Sequence, residues 1–390
     1  MLLSQDVARM AKRLELVLLS QSGGISFKEL CRRFRYSRKT GYKWLGRYRR
    51  EGAAGLLDRS RKPHTIKRRV ALAIEQEIVQ MRLQHPAWGA RKIRRRLQDG
   101  SGRAVPACST LTAIFHRHGL IDLLKAGGRK DWQRFEHPVP NSLWQMDFKG
   151  AVTTLAGPAH PLTILDDCSR FNLCLFALPN QKTATVQKAL TETFRRWGLP
   201  DVLLVDNGSP WGSDAEHPYT PLGVWILRLG VGVSHSRPYH PQTLGKDERF
   251  HRTLKQELLN DRQWQSLQQF QEALERWQRV YNFERPHEAL GLEVPAVRYQ
   301  PSLRSFPETL PPIEYPAEAA VRKVQAGGEF FFRGATFKVS KAFRGYPIGI
   351  LPTLAEGVFE VLFCQQRIAK IDLRVNSKKC YLCLRHICYP

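Results

Sequence analysis

The sequence predicts a multidomain chain, with an all-α N-terminal third, a central α/β unit and a small all-β C-terminal unit. Three observations predict it. The charge is lopsided: residues 1–140 hold 31 Lys+Arg against 11 Asp+Glu, or +20 of the formal +26, while residues 141–390 hold 30 against 24, or +6. Apolar spacing is helical through the first third and changes at Leu143 to alternating and continuous apolar runs of strand length. After Pro295, Pro301, Pro307 and Pro311-Pro312, short alternating segments follow one another between glycine turns. A length of 390 residues implies two to four domains, and 42% hydrophobic residues supply more than one core.

Composition also excludes classes. Asp6, Arg9, Lys12, Arg13 and Glu15 interrupt any apolar leader, and no stretch approaches the roughly 20 apolar residues that span a bilayer. The eight cysteines lack the framework of a small secreted domain, so free thiols in a reducing cytoplasm are expected. A basic third joined to a nearly balanced remainder is the pattern of a polyanion-binding module attached to a unit with other work, and nucleic acid is the favoured polyanion.

In chain order, Ser26 with Glu29 forms a capping-box pattern ahead of apolar residues at 27, 30, 31 and 34. Ser37 is a natural N-cap for a second helix, in which Tyr42, Leu45 and Tyr48 are expected to face inward. The pair resembles a helix-turn-helix, so Ser37, Arg38, Lys39, Thr40 and Lys43, at the start of the second helix, are the candidate DNA readers. Residues 56–64 form a basic, proline-containing linker. Helices over 74–83, 88–97 and 109–118 make a second such module, where Arg91, Lys92 and Arg95 are candidate DNA contacts. A polar stretch from Ile121 to Pro140, with Gly127-Gly128, marks the main boundary. Strands over 143–154, 160–167 and 171–178 follow, then a helix over 182–197 and a strand over 201–206. A helix over 219–229, a strand over 231–235 and long helices near 241–260 and 266–283 complete the order βββαβαβα plus a trailing helix, which is that of ribonuclease-H-like domains. Six short strands between Val321 and Leu373 fit an SH3-like barrel.

The chemistry is concentrated in the central unit. Leu143-Trp144-Gln145-Met146-Asp147-Phe148 is an apolar run around one carboxylate, and Val202-Leu203-Leu204-Val205-Asp206 is another that ends in Asp. A carboxylate at the edge of a buried strand is costly unless a cation repays its desolvation, so the two read as a metal-binding pair. Glu248 on the long helix is a candidate third oxygen ligand, and Arg252 and Lys255 fall on its face at i+4 and i+7 to bind phosphates. Asp247, Asp214 and Glu257 are rivals for the third position.

These words together resemble the integrase-type core of DDE insertion-sequence transposases, most closely insertion-sequence family 481. They are Trp144-Gln145-Met146-Asp147-Phe148, Asp206-Asn207-Gly208-Ser209-Pro210-Trp211, Arg237-Pro238-Tyr239-His240-Pro241-Gln242-Thr243 and the helix from Gly245 to Lys255. The resemblance covers nearly the whole chain. It implies a DDE polynucleotidyl transferase in which Asp147, Asp206 and Glu248 are the catalytic acids and hold two Mg²⁺ or Mn²⁺ ions, with Lys255 contacting DNA beside them. It also implies double-stranded DNA, both element ends and target, as partner, a homo-oligomeric synapse and a cytoplasmic, nucleoid-associated protein. The expected domains are 1–58 and 65–122 for DNA binding, 138–300 for catalysis and 315–375 for the barrel. One departure is a spacing of 41 residues between Asp206 and Glu248, longer than the wider group's, with the extra length expected in the loop from Gly212 to Thr220.

Other features carry plainer readings. Asp166-Asp167 is a strand-end turn, because adjacent strand residues point to opposite faces. His235 and His240 flank a Ser-Arg-Pro turn, where a loop role outranks zinc. Cys380, Cys383, His386 and Cys388 have zinc-knuckle composition but no intervening element. Trp144 and Trp211 are packing residues before they are base-stacking platforms. The rival to a transposase is a DNA-binding regulator or domesticated remnant whose core no longer cuts. A stand-alone ribonuclease-H-like nuclease fits poorly with two helix-turn-helix-like modules.

Overall fold

The computed structural model describes residues 2–59, 70–101, 104–121, 136–206, 208–212, 219–236, 245–260, 262–374 and 380–382. His240, Asp214, Gly127-Gly128 and the cysteine–histidine set beyond Leu382 lie outside the described residues. The chain divides into two units, Met1–Arg69 and Val70–Pro390.

The first unit is helical, with α1 (Leu2–Gln21), α2 (Phe27–Arg33), α3 (Arg38–Glu51) and a 3-10 turn over Gly52–Leu56. Both serine caps form: Ser26 Oγ accepts from the Glu29 amide at 3.4 Å and Ser37 Oγ from the Thr40 amide at 3.2 Å. Gly41 sits where α3 crosses α2, and a Cβ there would lie 2.5 Å from Cys31 Sγ. The inward face of α3 differs from expectation. Trp44 and Leu45 are buried with Val17 and Leu56, whereas Tyr42 is exposed and rests against Phe27. The close helix crossing at Gly41 rotates Trp44 to the interior, and the Arg13 guanidinium lies 4.0 Å over its ring while donating to Leu56 O.

In the second unit, α4 (Leu72–Gln84), α5 (Ala90–Ser101) and α6 (Cys108–Arg117) enclose Ile78, Trp88, Ile93, Leu97, Leu111, Ile114 and Phe115. Next comes a mixed sheet. Its strands β1 (Leu143–Phe148), β2 (Val152–Thr154), β3 (Gly157–Asp166), β4 (Asn172–Leu178), β5 (Val202–Val205) and β6 (Gly232–His235) run in the order β2-β3-β1-β5-β6, with β4 also on β3. The single strand expected over 143–154 is two strands, because Gly150 takes a left-handed turn between them. β1 pairs antiparallel with β3 and parallel with β5, and β5 pairs parallel with β6.

Strand alternation splits the core into two layers. Trp144, Met146, Leu162, Ile164, Leu203 and Val205 point to one face, against α7 (Thr183–Trp197) and α8 (Pro221–Arg228). The other face, with Leu165, Leu175 and Ala177, packs on α9 (Gly245–Leu254), a π-helical turn over Lys255–Leu259 and α10 (Leu267–Phe283). This α/β/α sandwich, with four antiparallel strands β1–β4 followed by β5 and β6 running parallel to β1, is ribonuclease-H-like.

After the short α11 (Pro295–Arg298), the C-terminal part is all-β, and each of the six expected strands forms. Among the described residues they do not close an SH3-like barrel. β7 (Ala320–Lys323), β10 (Pro347–Pro352), β11 (Val358–Phe363), β12 (Gln366–Asp372) and β13 (Cys380–Leu382) make an open sheet in the order β13-β12-β11-β10-β7. β8 (Glu329–Phe332) and β9 (Ala335–Lys338) form a separate hairpin. The physical reason lies in the cover. Phe330, Phe332 and Phe337 of the hairpin, with Val224 and Leu227 of α8, bury the sheet's apolar face, so closure is not needed to desolvate it.

Candidate active site at the β1–β5 edge

Sheet register brings the first two acids together. Leu143, Trp144 and Gln145 stand opposite Val202, Leu203 and Leu204, and two residues further along each chain come Asp147 and Asp206. Both fall on the face that α9 covers. Asp147 Oδ1 accepts from the Phe148 amide at 2.7 Å. Asp206 Oδ1 accepts from the Gly208 amide at 3.1 Å and from the Trp211 indole. Trp211 is buried and stacked on Phe148, with ring centroids 5.3 Å apart, so its ring packs while its N–H holds a candidate acid. The sequence marks Trp211 as packing; its second task depends on the turn over 208–212, which no periodicity reveals.

Glu248 is exposed in the first turn of α9. The Asp147 carboxyl is pushed up to about 6, by burial first and then by the like charges of Asp206 and Glu248, while the Phe148 amide and Lys149 oppose the shift. The three acids therefore share one electrostatic neighbourhood. Among the described residues, no three His, Cys, Asp or Glu side chains stand close enough to hold an ion as they are.

The rivals occupy other environments. Asp247 is fully buried, neither of its oxygens has a hydrogen-bond partner among the described residues, and burial with Asp147 and Asp167 nearby drives its pKa well up. Such a group is sealed from substrate. Glu257 is paired with Arg285 at 2.9 Å and accepts from the Trp277 indole at 3.2 Å, a structural role. Asp166 and Asp167 cap the end of β3. Asp166 accepts from Ser169 and from the Asn141 amide, and Asp167 accepts from Gln145, the His137 amide and Lys246. His235 sits 3.0 Å by Nδ1 from the Asp206 carbonyl oxygen, in a loop role.

Behind Asp147 lies a contact between residues 88 positions apart. His251 Nε2 is 2.8 Å from Thr163 Oγ1, and Thr163 Oγ1 donates to the Asp147 carbonyl at 2.9 Å. Burial and Lys149 push the His251 pKa down to about 3, so the imidazole is neutral.

The candidate DNA contacts divide. Ser37, Arg38, Lys39 and Lys43 are exposed on α3 with Thr40 half-buried, and Arg252 and Lys255 are exposed past Glu248. On α5 Arg91 is exposed, while Lys92 and Arg95 are half-buried. Arg95 pairs with Asp99 at 2.9 Å, Arg96 with Glu284 of α10's C-cap at 3.0 Å, and Lys92 is half-buried, its pKa pushed down to about 8 by burial and Arg285 against the pull of Glu257 and Glu288. α6, the expected helix over 109–118 on which no DNA contact was named, exposes Ser109, Thr112 and His116. A run of small polar residues at the start of the later helix was the available signal.

A ribonuclease-H-like sheet with acids at the ends of adjacent strands β1 and β5 defines an integrase-type core. Family models agree: residues 137–241 and 229–295 match the Integrase core domain, and residues 319–379 match the IS481 family transposase, C-terminal domain. Residues 12–64 match a Helix-turn-helix domain and 40–115 a Homeodomain-like domain. The central and C-terminal parts of the chain are thus similar to the integrase core and the C-terminal domain of IS481-type transposases. Among curated relatives, the Insertion element IS476 uncharacterized 39.2 kDa protein of Xanthomonas euvesicatoria is 28% identical over 158 residues, 40% of this chain and 44% of that protein. The Pol polyprotein of Radiation murine leukemia virus (strain Kaplan) is 32% identical over 122 residues, 30% of this chain and 19% of that one. The chain spans less than half the length of these curated relatives. Among solved structures, a chain of the simian T-cell lymphotropic virus intasome in complex with PP2A regulatory subunit B56 gamma is 13% identical, with a TM-score of 0.37 over 73% of this chain and 91% of that one. The HTLV-2 integrase catalytic core domain in complex with magnesium is 15% identical, with a TM-score of 0.31 over 42% and 99%. Likenesses at these scores add nothing to the fold already described. No helix among the described residues is long and apolar enough to cross a membrane.

Proposed function

We propose that this protein is a DNA transposase that binds the terminal inverted repeats of its element, hydrolyses the phosphodiester at the element's 3′ ends and joins each freed 3′-OH to target DNA. The observation that carries the reading is the β1–β5 register, which sets Asp147 beside Asp206 with the charge of Glu248 within reach of Asp147.

Three carboxylates are a hard oxygen donor set suited to Mg²⁺ or Mn²⁺, and the raised Asp147 carboxyl reflects burial first and the unneutralised like charges of Asp206 and Glu248 second. Asp147, Asp206 and Glu248 would hold the ions. Two bound ions supply activation of the attacking oxygen and stabilisation of the leaving one. In the first step water oxygen bonds to phosphorus and the P–O3′ bond breaks, leaving a 3′-OH and a 5′-phosphate. In the second step that 3′ oxygen bonds to a target phosphorus, and a target 3′ oxygen leaves. Trp211 and the Gly208 amide orient Asp206 for this work. Arg252 and Lys255 bind phosphates of the incoming strand, and Glu248, exposed beside them, is the third acid.

Residues 1–58 and 65–122 bind the element's ends. Ser37, Arg38, Lys39, Thr40 and Lys43 read the first contact, with Arg91 on phosphate and the start of α6 in the groove at the second, following the rule that the later helix of such a pair enters the major groove. Residues 138–300 cut and join, and 315–375 form the C-terminal β unit. One active site must serve two distant ends, so a homo-oligomeric synapse on the nucleoid is expected.

The rival reading is a DNA-binding regulator whose core no longer cuts. Strand-transfer assays with Asp147→Asn decide between them. Joining falls to trace levels in the variant under the transposase reading. Joining that persists at the wild-type rate excludes Asp147 as a catalytic acid, and no joining by the wild type favours the regulator.

A further inference from the structure

We infer that His251 is a positioning residue: donating from Nε2 to Thr163, it fixes the β1 peptide from which the Asp147 carboxylate projects. The inference rests on the reading of Asp147 as a catalytic acid.

The hydrogen count places a proton on Nε2. Thr163 and Asp147 are direct partners in the antiparallel β1–β3 register. A threonine hydroxyl has a single hydrogen, and Thr163 gives it to the Asp147 carbonyl oxygen at 2.9 Å. Toward His251, at 2.8 Å, the same oxygen can only accept, so the hydrogen of that bond belongs to Nε2. The ring's Nδ1 lies 3.9 Å from Asp147 Oδ2, beyond hydrogen-bond reach, so His251 takes no lone pair of the carboxylate. Ring and carboxylate are neighbours, yet Oδ2 stays available to an ion.

The contact also spans three elements. His251 lies one turn beyond Glu248 on α9, Thr163 is in the middle of β3, and Asp147 is near the end of β1. Side chain, hydroxyl and backbone carbonyl therefore link the helix of the third acid to the strand of the first. Phe250 and Leu254 bury the same stretch of helix, but apolar packing does not fix distance as a chain of two hydrogen bonds does. A misplacement of about 1 Å between catalytic groups costs about a hundredfold in rate.

The test uses the full chain and the variants His251→Gln, His251→Leu, Thr163→Val and the Leu/Val double variant. Three readouts are taken: single-turnover Mg²⁺-dependent nicking of a terminal-repeat duplex, binding of Mn²⁺ alone, and the imidazole nitrogen spectrum of ¹⁵N-histidine-labelled protein. His251→Leu and Thr163→Val are each expected to slow nicking about 10- to 100-fold and to weaken Mn²⁺ binding. His251→Gln, which keeps a donor at the same reach, is expected within about threefold of wild type. The double variant is expected to be no slower than the slower single one, because both break one linked unit. Equal losses in His251→Gln and His251→Leu overturn the inference, as do losses that multiply in the double variant. If His251→Leu does not fold, Thr163→Val against Thr163→Ser carries the same comparison. If wild type does not nick at all, the transposase reading fails by itself. The inference is then decided by the imidazole signal that disappears in His251→Gln: a proton on Nε2 with weaker Mn²⁺ binding in Thr163→Val supports it, and a bare Nε2 or unchanged Mn²⁺ binding overturns it.

Discussion

Buried charge decides the outcome at several single residues, and Glu75 shows how. Its side chain is nearly enclosed on α4 and is held by Arg117 at 2.6 Å and His118 at 2.8 Å from the end of α6. Arg117 first and His118 second pull its carboxyl below the ordinary 4.5, so its contribution to stability is full above that value and is lost as the pH falls through the lowered one. Glu75→Gln is expected to cost about 1–3 kcal/mol at pH 7, read as faster amide exchange in α4 and α6, and the penalty should shrink in acid. An equal penalty at pH 3 and pH 7 would contradict the pairing. The same physics made Asp147 and Asp206 legible in the sequence, since a carboxylate ending an apolar strand demands a reason. Asp247 beside Glu248 was harder. Spacing alone does not tell which of two adjacent helix residues turns inward, and burial of Phe250 and Leu254 on the sheet settles it. The Trp211–Asp206 and His251–Thr163 contacts were not legible, because each is made by tertiary placement rather than by local pattern.

At the scale of elements, helices and strands followed their periodicity closely, while the use made of each face did not. The charge of α5 reads as a DNA-binding surface, yet the packing of α5 turns Lys92 and Arg96 toward Glu257 and Glu284. Charge in a sequence has no direction until the helix is docked. Lys92→Ala is accordingly expected to weaken end binding less than about twofold, whereas Arg91→Ala lowers the salt slope by about one. Ser109→Ala and Thr112→Ala on α6 are expected to shift preference among end sequences by about 1–3 kcal/mol per contacted base. Fluorescence anisotropy across salt concentrations and mutated ends measures all four, and a large loss in Lys92→Ala alone would return the reading role to α5. The C-terminal strands show the same limit. Alternation located them, but barrel closure depended on what covers their apolar side, and α8 of the core supplies part of that cover.

At the scale of the whole molecule, the lopsided charge and the change of period at Leu143 were enough to foresee DNA-binding helices ahead of an α/β core. The division at Arg69 was less legible, because a basic linker and a basic helix share a composition. Residues 1–69 carry their own apolar cluster, so a chain of residues 70–390 is expected to melt within a few degrees of the full protein's core transition. Its binding to end DNA should be weaker and less salt-dependent, since fewer phosphates are neutralised. A core transition lost on removing residues 1–69 would show that the first unit supports the second.

Asp147, Asp206 and Glu248 are proposed to form one metal-dependent cutting site. Its most direct measurement uses a labelled duplex carrying the element's own terminal repeat, with wild type and Glu248→Gln compared in Mg²⁺ and in EDTA. Nicking at the 3′ end and joining by wild type in Mg²⁺ alone, both lost in Glu248→Gln, is the expected result. Cleavage by Glu248→Gln at the wild-type rate would remove Glu248 from the site, and binding without cleavage by both proteins would contradict the assignment as a whole.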